Sequence, residues 1–128
     1  MRLLLDSHAF LWWIADSGRL SQKARDLIGD DAHEVFVSAA TAWEIATKCR
    51  LGKLPLPELT AFDMSGSIAS QGFEELPVGV QDAVLAGRLP GPHRDPFDRM
   101  LMAQSLVHGL ALVSREAVFD QYGVTRLW

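Results

Sequence analysis

Arg2-Leu3-Leu4-Leu5-Asp6-Ser7-His8-Ala9-Phe10-Leu11-Trp12 follows the initial methionine and carries the clearest fold signal in the chain. Three consecutive leucines with no polar alternation suit a strand buried on both faces, as in a parallel sheet. The run stops at Asp6. Behind it His8, Leu11, Trp12 and Ala15 recur at helical spacing, with Ser7 as a candidate cap. Strand, acid and helix in that order make a βα unit. Its acid lies at the carboxyl edge of the sheet, where open α/β folds bind ligands.

The same alternation continues outward. Ser21 opens a helix to about Gly29, and Glu34 to Ser38 (EVFVS) reads as a strand. Ala39 to Leu51 reads as a helix, stopped by Gly52 and then Pro55 and Pro57. Glu58 to Gln71 has a helical pattern weakened by Gly66 and three serines. Phe73 to Leu76 is a short strand candidate and Val80 to Leu89 a helix. After the Pro90-Gly91-Pro92 loop, Pro96 stands in the first turn of a helix to His108, closed by Gly109. Leu110 to Ser114 (LALVS) is a strand, Glu116 to Tyr122 a helical turn, and Val124 to Leu127 a last strand. Strands separated by helices imply an α/β fold with a parallel sheet and right-handed crossovers. Repeats, low-complexity tracts and linkers are absent, so residues 1–128 read as one domain.

At 48% hydrophobic residues the chain can bury a core. Its longest apolar run, Ala9 to Ala15, is too short to span a bilayer. Asp6 interrupts any signal-peptide core, which predicts a soluble cytoplasmic protein. The single cysteine, Cys49, excludes an internal disulfide and a cysteine metal cluster, and is expected to pack as a small apolar residue. A net charge of −4 argues against nucleic-acid binding by bulk electrostatics. It leaves a nuclease open, because site carboxylates lower net charge and bound cations restore it locally.

Four acids, Asp6, Glu44, Asp98 and Glu116, stand at strand ends or on the helices that follow. Gathered on one sheet edge they would repel unless a cation held them, and oxygen ligands select Mg²⁺ or Mn²⁺. Each also has a plainer reading. Asp6 can cap the first helix. Glu44 can form a capping box with Thr41, or a surface pair with Lys48 if Ser38 is the cap. In Asp95-Pro96-Phe97-Asp98, Asp95 caps, Pro96 takes the first helical position, and Asp98 favours the positive helix end. Arg94 and Arg99 flank these acids and can bind phosphates or pair with them. Glu116 can be an exposed turn residue beside Arg115, and Asp120 competes for its role.

No two of His8, His33, His93 and His108 have a zinc-like spacing. His93, just before the acidic loop, is a candidate substrate contact, as is Ser38; His8 is expected to pack at the first helix–sheet contact. Trp12 and Trp13 cannot both face inward, so one of them meets a partner or is simply half-buried.

With these residues in order, the chain resembles PIN-domain ribonucleases, specifically the VapC toxins of toxin–antitoxin pairs. LLLDSHAFLW looks like the family's opening signature. VSAATAWEIATKCRLGKL resembles its second motif, with Glu44 at the acidic position. HRDPFDRMLMAQSLVHGLALVS resembles the third, with Asp98 at the acid. LVSREAVFDQYGV resembles the last, placing Glu116 where Asp is usual. The match covers nearly the whole chain.

The resemblance implies a three-layer α/β/α sandwich and metal-dependent hydrolysis of RNA phosphodiester bonds. It implies Mg²⁺ or Mn²⁺ held by Asp6 and Asp98 with Glu44 and Glu116 in support, and Asp95 as an additional acid that shares or tunes the metal. A cognate antitoxin covering the cleft and a homodimer are implied as well. Two other readings compete: a non-catalytic PIN-like binding module and a structure-specific DNA nuclease. A phosphoacceptor receiver domain would need an acidic pair where Asp6 stands alone. A dehalogenase-type phosphatase would need an Asp where His8 stands.

Overall fold

A computed structural model describes residues 1–54 and 63–128. In chain order the elements are β1 (Arg2–Leu5), α1 (Ser7–Ile14), α2 (Gln22–Gly29), β2 (Glu34–Ser38), α3 (Ala39–Arg50), α4 (Met64–Ser70) and β3 (Glu74–Leu76). There follow α5 (Val80–Arg88), α6 (Pro96–His108), β4 (Ala111–Val113), a 3₁₀ helix (Ala117–Tyr122) and β5 (Arg126–Leu127). The strands form one sheet in the order β3-β2-β1-β4-β5. Every pairing is parallel, with Leu3 opposite Val35 and Ala111, and Leu5 opposite Val37 and Val113.

The central place of β1 follows from its composition. Leu3, Leu4 and Leu5 are wholly buried. Because strand side chains alternate, they serve two cores. Leu3 and Leu5 pack with Phe10, Ile28, Val37, Ile45 and Ile68, beneath α1 to α4. Leu4 packs with Phe36, Leu101, Met102, Leu112 and Phe119, beneath α6 and the 3₁₀ helix. Helices therefore cover both faces of the sheet, giving the three-layer α/β/α architecture.

Strand order reverses at β1. The chain moves from β1 to β2 and β3 on one side, then crosses to β4 and β5 on the other. The connections leaving β1 and β4 diverge, and a crevice opens at the carboxyl ends of the central strands.

Several local expectations shift. Asp6, not Ser7, caps α1: its Oδ1 accepts from the Ala9 amide at 2.8 Å. Ser38 caps α3, accepting from the Ala40 amide at 3.0 Å, so the Thr41–Glu44 capping box does not form. The helix expected from Glu58 begins at Met64, behind the cap Asp63. The rest of that expectation, residues 58–62, lies outside the described residues, as do Pro55 and Pro57. Gly109 ends α6 in the left-handed conformation, φ 64°, which costs glycine little. Trp12 and Trp13 are both half-buried against the first core, whereas Trp43 is 65% exposed. Cys49 is half-buried there too. Among the described residues no helix is long and apolar enough to cross a membrane.

Candidate active site

Asp6 sits where β1 ends, at the point of strand reversal. Its amide donates to Val113 O of β4 at 3.1 Å, which ties it to the neighbouring strand. The side chain is buried, only 5% of the residue being exposed. Burial pushes its pKa up to about 6, although the Ser114 hydroxyl, the Ala9 amide and His8 pull against that; nearby Asp98 pushes with it. A carboxylate so placed is short of positive charge.

Asp98 comes from the first turn of α6, in the geometry that Asp-Pro-Phe-Asp predicts. Asp95 caps the helix, accepting from the Asp98 amide at 3.0 Å. Asp98 Oδ2 accepts from His93 Nε2 at 2.8 Å. Burial raises the Asp98 pKa; the His93 bond opposes this, and Asp95 and Glu44 add to it. Asp98 acts on Asp6 and Glu44 acts on Asp98, so three elements bring their acids together.

Glu44 is buried on the second turn of α3. Ser7 Oγ donates to its Oε1, and Lys48 Nζ donates to its Oε2 at 2.6 Å. The Glu44–Lys48 pair therefore lines the site instead of decorating the surface. Glu116 is exposed at the start of the 3₁₀ helix, and its amide donates to Ser114 Oγ at 3.0 Å. Asp6, Glu44, Asp95, Asp98 and Glu116 all line one cleft of about 150 Å³. Ser7, His8, Lys48, His93 and Val118 complete its wall.

The remaining candidates fall elsewhere. Arg99 gives its guanidinium to three backbone carbonyls: Ala86 O at 2.8 Å, His93 O at 2.9 Å, and Leu89 O. This staple fixes the loop that carries His93 and turns the Arg99 guanidinium toward backbone carbonyls. Ser38 is 1% exposed, caps α3 and donates to Gln104 Oε1, so it is a buried structural residue and not a substrate contact. Arg94 is exposed and lines a different, apolar hollow of about 440 Å³ with Trp43 and Phe97. That larger hollow has no carboxylate in its wall, whereas five acids line the smaller cleft.

Three site residues escape a reading of the sequence alone. Ser7 holds Glu44 across thirty-seven positions, which no local pattern announces. Lys48 is visible there only as a helical neighbour of Glu44. His8, expected inside, is exposed on the cleft wall and stacks on Trp12.

The donor set suits a hard cation: carboxylates dominate, and no thiol is present. Among the described residues no three His, Cys, Asp or Glu side chains stand close enough together to cage an ion alone. A cation that keeps several of its waters, as Mg²⁺ does, fits such an open arrangement.

A protein-family model described as PIN domain matches residues 3–124. Ribonuclease VapC22 of Mycobacterium tuberculosis is 30% identical over 117 residues, covering 89% of this chain and 86% of that protein. Among solved structures, DNA-bound VapBC from Salmonella typhimurium superposes with a TM-score of 0.72 at 19% identity, over 99% of this chain and 97% of that one. VapBC2 from Rickettsia felis, bound to a promoter DNA fragment, gives 0.70 at 12% identity, over 99% and 98%. At those identities the structures speak for the fold. Ribonucleases of this kind generally depend on a metal ion. The chain belongs to the PIN-domain family and, by its similarity over nearly its whole length, stands with the VapC ribonucleases.

Proposed function

We propose that this chain is a metal-dependent endoribonuclease, the toxin of a toxin–antitoxin pair restrained by a cognate antitoxin. The observation that carries the reading is the buried Asp6 at the strand reversal, its pKa raised to about 6, with Asp98 beside it. Its relative VapC22 is named a ribonuclease, and a structural neighbour from Klebsiella pneumoniae is a toxin–antitoxin complex. Residues 1–128 act as one domain, in the cytoplasm, as a homodimer.

Asp6 and Asp98 would hold Mg²⁺ or Mn²⁺, with Glu44, Glu116 and Asp95 in support. The ion, when bound, supplies Lewis-acid activation of water and charge for the phosphate. The chain's own residues prepare the rest. Ser7 and Lys48 fix Glu44, so its carboxylate keeps one orientation. His93 does the same for Asp98. The Lys48 ammonium, part-exposed at the cleft, adds positive charge where a phosphodiester would sit. Glu116 is exposed and lines the cleft, and its longer side chain would reach toward the ion.

The test is incubation of purified total RNA with the isolated protein in Mg²⁺ or Mn²⁺ and in EDTA. Discrete products that EDTA abolishes support the reading. A folded, antitoxin-free protein that leaves every RNA intact in both metals overturns it.

A further inference from the structure

We propose that His8, Trp12 and Arg115 form a stacking subsite that receives an unpaired RNA base beside the scissile phosphate. The inference rests on the nuclease reading above and deepens it. The His8 and Trp12 rings lie 5.2 Å apart at only 16° between planes. Arg115 Cζ lies 4.8 Å from the Trp12 ring centre, in cation–π range. Trp128 buttresses the same indole edge-on at 5.8 Å.

The position of this group matters as much as its chemistry. His8 lines the acidic cleft, and Arg115 directly precedes Glu116, which lines it too. His8 thus belongs both to the cleft wall and to the stack, which joins the stack to the carboxylates at that one residue. His8 and Arg115 are exposed, whereas Trp12 is half-buried and anchored on the first core. Among the described residues Arg115 enters no ion pair, so its planar guanidinium is committed only to the indole.

A net charge of −4 argues against holding an RNA strand by bulk electrostatics. Base stacking on aromatic and guanidinium planes supplies affinity that charge does not, and tolerates any base. Planar groups fixed in place lose little freedom on binding, unlike a flexible lysine.

The variants are Arg115→Gln, Arg115→Lys and His8→Ala, all at exposed positions, each checked by thermal melting. The probes are uridine and adenosine octamers and an octamer of abasic ribose phosphate, with cut sites in total RNA mapped by end sequencing. Stacking is worth about 5- to 150-fold in affinity per base. The proposal expects losses of that order for the base-bearing octamers with all three variants, the charge-conserving Arg115→Lys included. It also expects unchanged binding of the abasic octamer and redistributed cut sites. If the abasic octamer weakens equally and Arg115→Lys binds like the wild type, Arg115 is a phosphate contact and the proposal falls. Unchanged affinities and cut sites also overturn it, with the nuclease intact. A wild-type protein that cuts no RNA removes the underlying reading instead.

Discussion

His93 Nε2 lies 2.8 Å from Asp98 Oδ2, and the His93 backbone is pinned on both sides. Its amide donates to the Tyr122 hydroxyl at 3.0 Å, and its carbonyl accepts from Arg99 at 2.9 Å. Three hydrogen bonds thus hold this loop residue in place. The imidazole sets the direction of the Asp98 carboxylate, in the way that outer hydrogen bonds orient metal ligands.

Replacing His93 by Ala should leave the fold intact and lower cleavage by about 10- to 100-fold, with a raised metal requirement. Single-turnover rates across a Mg²⁺ titration check this. An unchanged rate and unchanged half-saturating Mg²⁺ would show that Asp98 needs no such partner.

The raised pKa of Asp6 predicts a pH dependence of stability. The ordinary value is 3.8 and the folded value about 6, so between them the folded state binds more protons than the unfolded one. Stability from this group is therefore full below about pH 4 and is lost as pH rises through 6. Asp6→Asn keeps the helix cap, removes that cost, and should raise stability at neutral pH in EDTA by on the order of 1–3 kcal/mol. The same variant should be inactive. Denaturation curves at pH 5 and 7.5 test it; a variant no more stable than wild type at pH 7.5 would count against a strained buried charge.

Arg99→Lys cannot reproduce a guanidinium fork on three carbonyls. It should lower stability by about 2 kcal/mol, as expected for charge-assisted hydrogen bonds. Activity should fall with it, because the His93 loop loosens. The salt dependence of RNA binding should stay as in wild type, whereas a phosphate contact would lower the slope.

Ser38→Ala removes both a helix cap and the donor to Gln104 Oε1. Gln104 in turn donates to Asp82 Oδ2 at 3.2 Å and Pro77 O at 3.1 Å, so one change disturbs a buried network. A loss of about 1–2 kcal/mol is expected, with RNA affinity unchanged. Chemical denaturation and oligonucleotide binding, measured on the same preparation, separate the two effects.

What the sequence reveals follows physical locality. Leu3 to Leu5 betray a strand buried on both faces, and Asp95-Pro96 a capped helix, because those signals sit within a few residues. The acids of the cleft are legible for the same reason: each lies at the end of a recognisable element. Arg99 and Ser38 mislead, because a guanidinium beside acids and a serine before a helix look alike whether they face a cleft or a carbonyl. Only the packing of α5 against α6, and of β2 against Gln104, decides which. The Ser7–Glu44 bond and the His8–Trp12–Arg115 stack join distant segments, and they exist only once the sheet has aligned β1, β2 and β4.

Asp6 and Asp98 are the proposed metal-dependent centre of the ribonuclease. Cleavage of total RNA by Asp98→Asn beside the wild type, in Mn²⁺ and with matched melting curves, tests it most directly. Discrete products are expected from the wild type and none from a variant that remains folded. A folded Asp98→Asn protein that cuts the same RNA at the same rate would contradict it.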